Sequence, residues 1–468
     1  MRPAYDVAEI RAAEQPLLDT LPAGTLMARA ATALAARCAA LLGGSYGGTY
    51  GARVVLLVGT GNNGGDALLA GQQLARRGAR VDVVRVSDET YDEELLRSAD
   101  LVVDGMVGIG AQGPLRPAAA RLAEIVNDGN GIVVAVDVPS GVDASTGEVS
   151  GVAVRADVTV TFGAMKPGLL VSPGSDHAGI VDVVDIGLAL PAAQVAALDA
   201  DDVAALVPWP ETDSDKYSRG VVGVVAGSER YTGAAVLCVG GALHAGAGMV
   251  RYAGVEAAAG EVRRHWPEAL VTATDDVLGV GRVQAWVIGS GLGTGAAATA
   301  VVSAVLGTDV PVVVDADALA VVAGNPSLVT ERGAPTLLTP HAGEFARLVG
   351  GDRAGVEARR LRSAQEAARR FNATVLLKGS TTVIADPSGQ TRVNTAQTPY
   401  LATAGSGDVL AGVCGTLLAA GLPAIDAGAA AAFLHGLAAV LAAGEPAAPV
   451  TPREVAAALP AAIRAIRR

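Results

Sequence analysis

The sequence predicts a two-domain α/β protein in which each domain is built on a mostly parallel β-sheet. Short runs of β-branched and aliphatic residues recur along the 468-residue chain and alternate with stretches of helical apolar spacing. Several of these runs end in Gly-rich loops that carry polar side chains. An Ala-, Asp- and Pro-rich passage over 191–215 interrupts the alternation, so we predict one domain over 1–205 and a second over 215–468.

Composition narrows the class of protein further. Half of the residues are apolar (51%), which allows large buried cores, and the formal net charge of -12 argues against nucleic-acid binding, because phosphate affinity requires clustered Lys and Arg. No stretch of about 18 residues lacks a charge or a Gly-rich break, and the first residues do not have the layout of a signal peptide. We therefore expect a cytoplasmic protein with neither nucleic acid nor membrane as a partner.

The first half begins with helical spacing over 4–42 and continues as a series of predicted strands. Helical stretches separate several of these strands, which is the pattern of a doubly wound, Rossmann-like sheet whose functional residues gather at the carboxyl ends of the strands. The predicted strands are Val54–Val58, Val81–Val86, Leu101–Gly108, Ile132–Gly141 and Ala156–Phe162.

The loop after the first of these strands, GTGNNGGD, is the clearest ligand-binding signal in this half. Its glycines let the backbone approach a ligand closely, and the helix that continues from Ala67 would direct free N–H groups and its positive dipole end at a phosphate. Asn62 and Asn63 add carboxamide oxygens that suit a cation or a hydroxyl. The alternative is an ordinary turn in which Asp66 caps the helix.

Polar groups at the ends of other strands point to the same edge of the sheet. Asn63, Asp104 and Ser140 would combine an amide oxygen, a carboxylate and a hydroxyl with backbone carbonyls, a cage that suits a monovalent cation better than zinc. Asp137 ends a neighbouring strand. Taken singly, either aspartate fits a cap or a turn former, and only their recurrence at one edge favours a functional reading.

These motifs carry a resemblance to a known family. GTGNNGGD, VVDGMVGIG, DVPSGVDASTGEV and TFGAMKPGL resemble the YjeF N-terminal family, NAD(P)H-hydrate epimerases, across nearly all of residues 5–190, with Ala67 where the family usually has Gly. The resemblance implies interconversion of the R and S forms of NADH hydrate and NADPH hydrate at C6, with Asp137 at the reacting nicotinamide in an acid/base role. Asn63, Asp104 and Ser140 would hold potassium. The hydrate would be bound by Asn62, Asn63, Gly64, Gly65, Asp66, Gly108, Ile109, Gly110, Ala111, Gln112, Gly113, Pro114 and Asp137.

The second half carries its own Gly-rich loop before a helix, TAGSGDVLAG, and a long helical region over 408–467 follows. Gly405, Ser406 and Gly407 precede a helix start that can neutralise an anion, and Asp408 could take the proton of an attacking hydroxyl. In the alternative reading Asp408 only caps the helix. The loop lacks GKS or GKT, so it is not a Walker loop.

Other polar residues accompany that loop. Lys378 follows an apolar run and offers a cation to nucleotide phosphates, while His341 and Glu344 lie in the Pro- and Gly-shaped loop TPHAGE. Asp315 and Asp317, in DADAL, are candidates for contact with a substrate hydroxyl or magnesium, or are simply helix caps.

This half also resembles a family. GSERYTGAA, HWPEAL, GSGLG, DADAL, TPHAGE, LLKGSTTVI and AGSGDVLAG resemble the YjeF C-terminal family over 215–465, NAD(P)H-hydrate dehydratases with a ribokinase-like α/β/α fold. The resemblance implies that a nucleotide and magnesium drive removal of the 6-hydroxyl of the S hydrate by phosphorylation and elimination, with Asp408 as the base. ADP is the expected phosphoryl donor, although these residues alone do not decide between ADP and ATP. ADP would be bound by Lys378, Gly379, Ser380, Thr381, Thr382, Gly405, Ser406 and Gly407, and the hydrate by Ala234, Gly291, His341 and Asp408.

The sequence therefore predicts a bifunctional cofactor-repair enzyme. Two alternatives stay open: a ribokinase-type kinase of a small vitamin precursor with an accessory dinucleotide-binding domain, and a non-catalytic dinucleotide-sensing or scaffold module. A homo-oligomer is expected, with the number of subunits open.

Overall fold

A computed structural model describes residues 1–45, 47–88, 90–395 and 398–467. The chain forms two compact units, Pro3–Val195 and a C-terminal unit that runs from Ala196 onward and includes Met1–Arg2. The division, between Val195 and Ala196, falls within the passage 191–215 and ten residues before the predicted end of the first domain at residue 205. The reason is a short helix, Ala200–Leu206, whose Val203 is buried in the apolar core of the C-terminal unit.

The N-terminal unit is organised around six parallel strands. Buried aliphatic runs form its central strands, as expected for a sheet that is covered on both faces. In chain order the elements of residues 2–197 are β1 (Arg2–Ala4), α1 (Val7–Thr20), α2 (Thr25–Ser45), β2 (Arg53–Val58), α3 (Asn62–Arg76), β3 (Arg80–Arg85), α4 (Glu93–Arg97), β4 (Leu101–Gly105), α5 (Pro117–Asn127), β5 (Ile132–Val136), β6 (Val158–Phe162), two 3₁₀ turns (Pro167–Leu169 and Gly174–His177), β7 (Ile180–Val184) and β8 (Val195–Ala197). Strands β1 and β8 are not part of the six-stranded sheet.

The strand order of this sheet is β3-β2-β4-β5-β6-β7, with every pair parallel. Alternate residues of β2 point to opposite faces: Leu56 packs with Leu34 of α2 and Leu74 of α3, whereas Leu57 packs with Leu122 of α5. Helices thus cover both faces, which confirms the predicted doubly wound α/β fold.

The C-terminal unit is a second layered α/β structure. Its elements are α6 (Ala200–Leu206), β9 (Val221–Val225), α7 (Thr232–His244), β10 (Met249–Gly254), α8 (Glu256–His265), β11 (Leu270–Ala273), a 3₁₀ turn (Val277–Val280), β12 (Ala285–Ile288), α9 (Ala296–Leu306), β13 (Val312–Val314), α10 (Asp317–Gly324), α11 (Ser327–Thr330), β14 (Thr336–Leu338), α12 (Ala342–Val349), α13 (Arg353–Ala358), α14 (Arg360–Phe371), β15 (Thr374–Leu377), β16 (Thr382–Ala385), β17 (Thr391–Asn394), a 3₁₀ turn (Pro399–Leu401), α15 (Ser406–Ala419), α16 (Ala424–Ala443) and α17 (Pro452–Ile466).

Strands β9 to β17 follow one another in the order β17-β16-β15-β14-β13-β12-β9-β10-β11. The pairs from β11 to β15 are parallel, and β15, β16 and β17 form an antiparallel meander at the end of this series. The carboxyl ends of β12 to β15 therefore lie along one edge of the sheet, beside the start of the buried helix α15.

Two helices, α2 and α16, are long and apolar enough by length and composition to cross a membrane. Of their apolar windows, 33% of the α2 window and 67% of the α16 window are buried inside the protein. A core helix of a globular protein can have the same length and apolar composition. The expected lack of a membrane partner stays a prediction.

Candidate functional sites

The first site is a cleft of about 530 Å³ in the N-terminal unit. Residues that follow β2, β4 and β5 line it, because parallel strands bring their carboxyl ends to one edge of the sheet. Helices α1 and α2 supply further lining residues, among them Arg11 and Glu14. The predicted hydrate-binding residues in this lining are Asn62, Asn63, Asp66, Gly108, Ile109, Gly110, Ala111 and Asp137.

Five predicted hydrate-binding residues lie outside that lining: Gly64, Gly65, Gln112, Gly113 and Pro114. Gly64 has a packing reason to be glycine, since a Cβ atom at this position would overlap the carbonyl of Gly59. Gln112, Gly113 and Pro114 are exposed in the loop that follows the cleft-lining segment.

Asp137 is held in a fixed position at the floor of this cleft. It follows β5 with φ 69°, a left-handed conformation that Asp tolerates better than most residues. Its Oδ1 atom accepts hydrogen bonds from Lys166 Nζ at 2.5 Å, Thr161 Oγ1 at 2.9 Å and the Phe162 backbone N–H at 3.1 Å. Lys166 is fully buried (0% exposed), and its Nζ also donates to Phe162 O at 2.8 Å. The ion pair stabilises Asp137 as a carboxylate.

A second carboxyl of the cleft has a very different environment. Asp66, on α3, is 6% exposed, and its Oδ1 atom has no hydrogen-bond partner among the described residues. Burial, followed by the charges of Asp137 and Glu14, raises the pKa of Asp66 to about 7. Burial and the charge of Asp137 also raise the pKa of Glu14.

Of the three predicted potassium ligands, Asn63 lines the cleft, and Asp104 and Ser140 form a buried hydrogen-bonded pair. Asp104 Oδ1 accepts from Ser140 Oγ at 2.7 Å and Oδ2 accepts from the Ser140 backbone N–H at 2.8 Å, while burial raises the pKa of Asp104. Asn63 Nδ2 lies 2.6 Å from Val136 O and 3.3 Å from Val107 O. If the carboxamide were turned over, its oxygen would face those two carbonyls, an arrangement that needs a cation. One carboxylate among neutral oxygens suits a monovalent ion.

The second site is a cleft of about 660 Å³ in the C-terminal unit. It lies between the ends of β13 to β15 and the first turn of α15, where Gly405 adopts φ 92° as the N-cap residue. Thr381, Ala234 and Gly291 are outside its lining. The predicted residues in the lining are His341, Lys378, Gly379, Ser380, Thr382, Gly405, Ser406, Gly407 and Asp408.

A buried ion pair forms one wall of this cleft. Lys378 Nζ lies 2.8 Å from Asp315 Oδ1 and 3.9 Å from Glu344 Oε2. Burial alone would lower the pKa of Lys378, but the carboxylates of Asp315 and Glu344 outweigh it and raise that pKa. Thr339 Oγ1 donates to Asp315 Oδ1 at 2.8 Å. A Cβ atom at Gly407 would lie 3.2 Å from Lys378 Nζ, so the ammonium group adjoins the Gly-rich loop.

Asp408 faces the same wall from the first turn of α15. Burial, followed by the charge of Asp315, raises the pKa of Asp408 to about 7, although a hydrogen bond from Ser290 opposes the shift. Ser290 precedes Gly291, and a Cβ atom at Gly291 would lie 2.9 Å from that of Ala234. Ala234 and Gly291 do not line the second cleft, but Gly291 follows Ser290, which forms a hydrogen bond with Asp408. A carboxyl with this pKa can accept a proton near neutral pH.

His341 has a local role as well as a place in the cleft. It caps α12: its Nδ1 atom accepts from the backbone N–H groups of Gly343 and Glu344 at 3.0 and 3.2 Å, and Glu344 Oε2 accepts from the His341 N–H at 2.9 Å. The Nε2 edge of the ring is left for Glu344 Oε1, 3.5 Å away, or for a ligand.

Sequence reasoning gave no role to four residues of these sites: Glu14, Lys166, Ser290 and His435. Lys166 lies within the motif TFGAMKPGL, so its position was marked, but its partner Asp137 is 29 residues away. Glu14 belongs to an amphipathic helix and carries no local signal. His435, in α16, lines the second cleft, and its Nε2 atom has no hydrogen-bond partner among the residues that the structure describes; burial lowers its pKa to about 4.

Two family models match this chain. Residues 222–461 match a family described as NAD(P)H-hydrate dehydratase, and residues 23–98 and 85–168 match one described as YjeF-related protein N-terminus. The chain is 49% identical over 465 residues to a bifunctional NAD(P)H-hydrate repair enzyme of Mycobacterium leprae, with 95% of each chain covered. It is 37% identical over 501 residues to the enzyme of that name from Salinibacter ruber, covering 93% of this chain and 91% of the relative.

Solved structures resemble the C-terminal part. An ADP/ATP-dependent NAD(P)H-hydrate dehydratase from Bacillus subtilis, co-crystallised with ATP and Mg²⁺, is 28% identical with a TM-score of 0.52, over 57% of this chain and 97% of that one. A ribokinase-like superfamily protein from Enterococcus faecalis is 27% identical with a TM-score of 0.54, over 59% and 98%. These similarities confirm the predicted ribokinase-like fold.

Proposed function

The chain belongs to the family of bifunctional NAD(P)H-hydrate repair enzymes, and from this premise we propose that it restores hydrated NADH and NADPH in two steps. The N-terminal domain epimerises the R and S hydrates, and the C-terminal domain dehydrates the S hydrate with ADP as phosphoryl donor. The observation that supports this most directly is the pair of separate clefts, each of which contains an aspartate of raised pKa and a Lys–Asp ion pair.

In the epimerase site we propose that Asn62, Asn63 and the loop over 108–114 bind the dinucleotide and that Asp137 lies against the nicotinamide. The start of α3 would direct its free N–H groups at a phosphate. Potassium would be held by Asn63, Asp104 and Ser140, where it would supply a positive charge close to the bound dinucleotide.

In the dehydratase site Asp408 would take the proton of the 6-hydroxyl as that oxygen attacks the terminal phosphoryl group of the nucleotide. Lys378 and the N–H groups of Gly405 to Gly407 would stabilise the charge on the transferring phosphoryl group. The C6–O bond then breaks with loss of phosphate, a proton leaves C5, and NADH or NADPH results. The raised pKa of Asp408 supports this assignment because it gives the carboxylate useful basicity.

Magnesium would reach this site with the nucleotide. Asp315 already pairs with Lys378, and the described residues contain no group of three His, Cys, Asp or Glu side chains that could hold a metal. Magnesium commonly binds through one or two carboxylates together with substrate phosphates, so Glu344 and the phosphates are the expected ligands.

The experiment that tests the proposal starts from a 1:1 mixture of the R and S epimers of NADPH hydrate, with ADP and Mg²⁺, and follows the amount of each epimer. The wild-type protein should convert both epimers to NADPH, whereas Asp137→Asn should stop once the S form, half of the material, is consumed. Asp408→Asn should form no NADPH but should still equilibrate pure R hydrate. Both losses should exceed about 100-fold in rate, as for other residues that act on a reacting proton or charge.

Removal of Asp137 leaves Lys166 buried without its partner, so the variant needs a folding control. Unchanged dehydration of the S hydrate and an unchanged far-UV circular dichroism spectrum provide this folding control. If the wild-type protein consumed neither epimer and instead phosphorylated a small alcohol, the kinase alternative would replace this proposal. If it bound dinucleotide without turnover, the scaffold alternative would.

A further inference from the structure

Resting on the proposed epimerase function, we infer that Asp66 is a further catalytic residue, which exchanges a proton with the 6-hydroxyl of the hydrate. Asp137 then acts as a fixed negative charge rather than as the proton carrier. The inference comes from the different hydrogen-bond environments of two carboxyls that line one cleft.

Asp137 is poorly suited to move a proton. Its Oδ1 atom receives three donors, from Lys166, Thr161 and the Phe162 backbone. Protonation of Asp137 would remove the direct ion pair and leave the ammonium group of Lys166 buried without a counter-charge. An unpaired buried charge is strongly destabilising. The carboxylate held by these three donors can stabilise positive charge that develops on the nicotinamide ring.

Asp66 has the opposite properties. Its Oδ1 atom has no partner among the described residues, its side chain is more than nine-tenths buried, and it borders the cleft. An unsatisfied carboxyl in such a place is costly for folding, and such costs are typical of functional groups. Because the Asp66 side chain borders the cleft, a hydroxyl bound there could form a hydrogen bond with its carboxyl group.

The charged groups around Asp66 keep its proton affinity high. Asp137 faces it from the end of β5 and Glu14 from α1, and burial together with these two charges raises the pKa of Asp66 to about 7. The positive charges of the buried Lys166 and of Arg11, also on α1, act on Glu14 in the opposite direction and lower its pKa. Two carboxyls driven to different protonation states are the usual pattern of an acid paired with a charge stabiliser.

The reaction balances with these two residues. The protonated Asp66 carboxyl gives its proton to the 6-hydroxyl while the C6–O bond breaks, and the oxygen leaves as water with the bonding pair. The lone pair of the ring nitrogen forms a C6=N bond, whose positive charge faces Asp137. Water then adds to the opposite face of C6 and releases a proton to solvent, while Asp66 regains a proton from solvent, which yields the other epimer without net change.

The test measures the initial rate of S hydrate formation from pure R hydrate, without nucleotide, between pH 5.5 and 9. The wild-type rate should be constant below about pH 7 and fall about tenfold per pH unit above it, because the protonated form of Asp66 is required. Asp66→Asn should lower the rate at pH 6.5 by at least about 100-fold and abolish this alkaline limb. Asp66→Glu should restore part of the rate.

A second variant acts on Asp66 without replacing it. Glu14→Gln removes one of the charges that raise the pKa of Asp66, so the alkaline limb should move to lower pH by about half a unit or more. Asp128→Asn, a surface substitution in the same domain, is the matched control and should reproduce the wild-type profile. Dehydration of the S hydrate by every variant reports on folding of the other domain, and hydrate binding by Asp66→Asn reports on the cleft.

The outcomes separate two failures. A wild-type protein that does not epimerise would overturn the assignment of the N-terminal domain and this inference with it. A wild-type protein that epimerises, with an Asp66→Asn variant above one tenth of its rate or a profile that Glu14→Gln does not move, would overturn only the role of Asp66.

Discussion

At the scale of single residues, the two clefts share one electrostatic arrangement. Each cleft contains an aspartate in the first turns of a helix and a second aspartate that is ion-paired with a lysine, and burial raises the pKa of the first aspartate to about 7. Burial is the leading cause in both, and the paired aspartate is the next. The aspartates of raised pKa are Asp66 and Asp408, and the ion pairs are Asp137–Lys166 and Asp315–Lys378.

The ion pair of the second cleft makes a stability prediction. Lys378→Met leaves the Asp315 carboxylate, which is 1% exposed, without its cation, so the free energy of unfolding should fall by about 3 kcal/mol or more. The double variant Lys378→Met/Asp315→Asn should recover most of this loss, because no unpaired charge stays buried. Urea unfolding of both variants measures the difference.

Nucleotide binding should behave differently from stability in those variants. Both should bind ADP at least about tenfold more weakly than wild type, because each lacks the cation beside the phosphates. Lys216→Met, an exposed lysine of the same unit, is the matched control and should change neither quantity appreciably. A double variant that bound ADP normally would remove Lys378 from the nucleotide site.

Sequence reasoning at this scale found the residues at strand ends but missed the charged neighbours of Asp137. Asp137 and Asp104 could be predicted because each ends an apolar run. Lys166 and Glu14 could not, because the hydrogen bonds and charges that involve them with Asp137 form between elements that the fold brings together.

At the scale of elements, close packing of α7 against α15 positions Asp408. A Cβ atom at Gly241 would overlap the carbonyl of Val409, and one at Gly412 would overlap that of Cys238, so glycine on both helices allows the backbones to touch. Neither contact can be predicted from helical propensity, which disfavours glycine in both helices.

Gly241→Ala should therefore displace the first turns of α15. We expect the free energy of unfolding to fall by about 1–3 kcal/mol through overpacking, and dehydration to slow because Asp408 moves with the helix. Gly260→Ala is the matched control: it lies inside α8 with open space around its Cβ position and should stabilise the protein by about 0.5–1 kcal/mol. An equal effect of the two substitutions would contradict the packing argument.

At the scale of the whole molecule, each of the two units contains one of the two clefts. A 1:1 mixture of Asp137→Asn and Asp408→Asn should therefore convert pure R hydrate fully to NADPH with ADP and Mg²⁺. The S hydrate made by the Asp408→Asn protein would diffuse to the dehydratase site of the other. NADPH fluorescence follows the conversion.

Each variant alone is the control and should form little NADPH from R hydrate. If the mixture left most R hydrate unconverted, the S hydrate would not leave the epimerase site of the Asp408→Asn protein, and transfer by free diffusion would be contradicted. A dependence of the mixed rate on total protein concentration is the expected sign of free diffusion.

The sequence alone determined the fold class, the two-part organisation, the Gly-rich loops and the polar residues that end the strands. These depend on local patterns: buried strands need continuous apolar runs, and close approach to a ligand needs glycine. Only the tertiary structure decided three other features. These are the division of the chain at residue 195, the ion pairs that hold Asp137 and Asp315, and the position of Asp66 near other charged groups. Burial and the distances between charges set these properties, and both arise from residues that are far apart in the sequence.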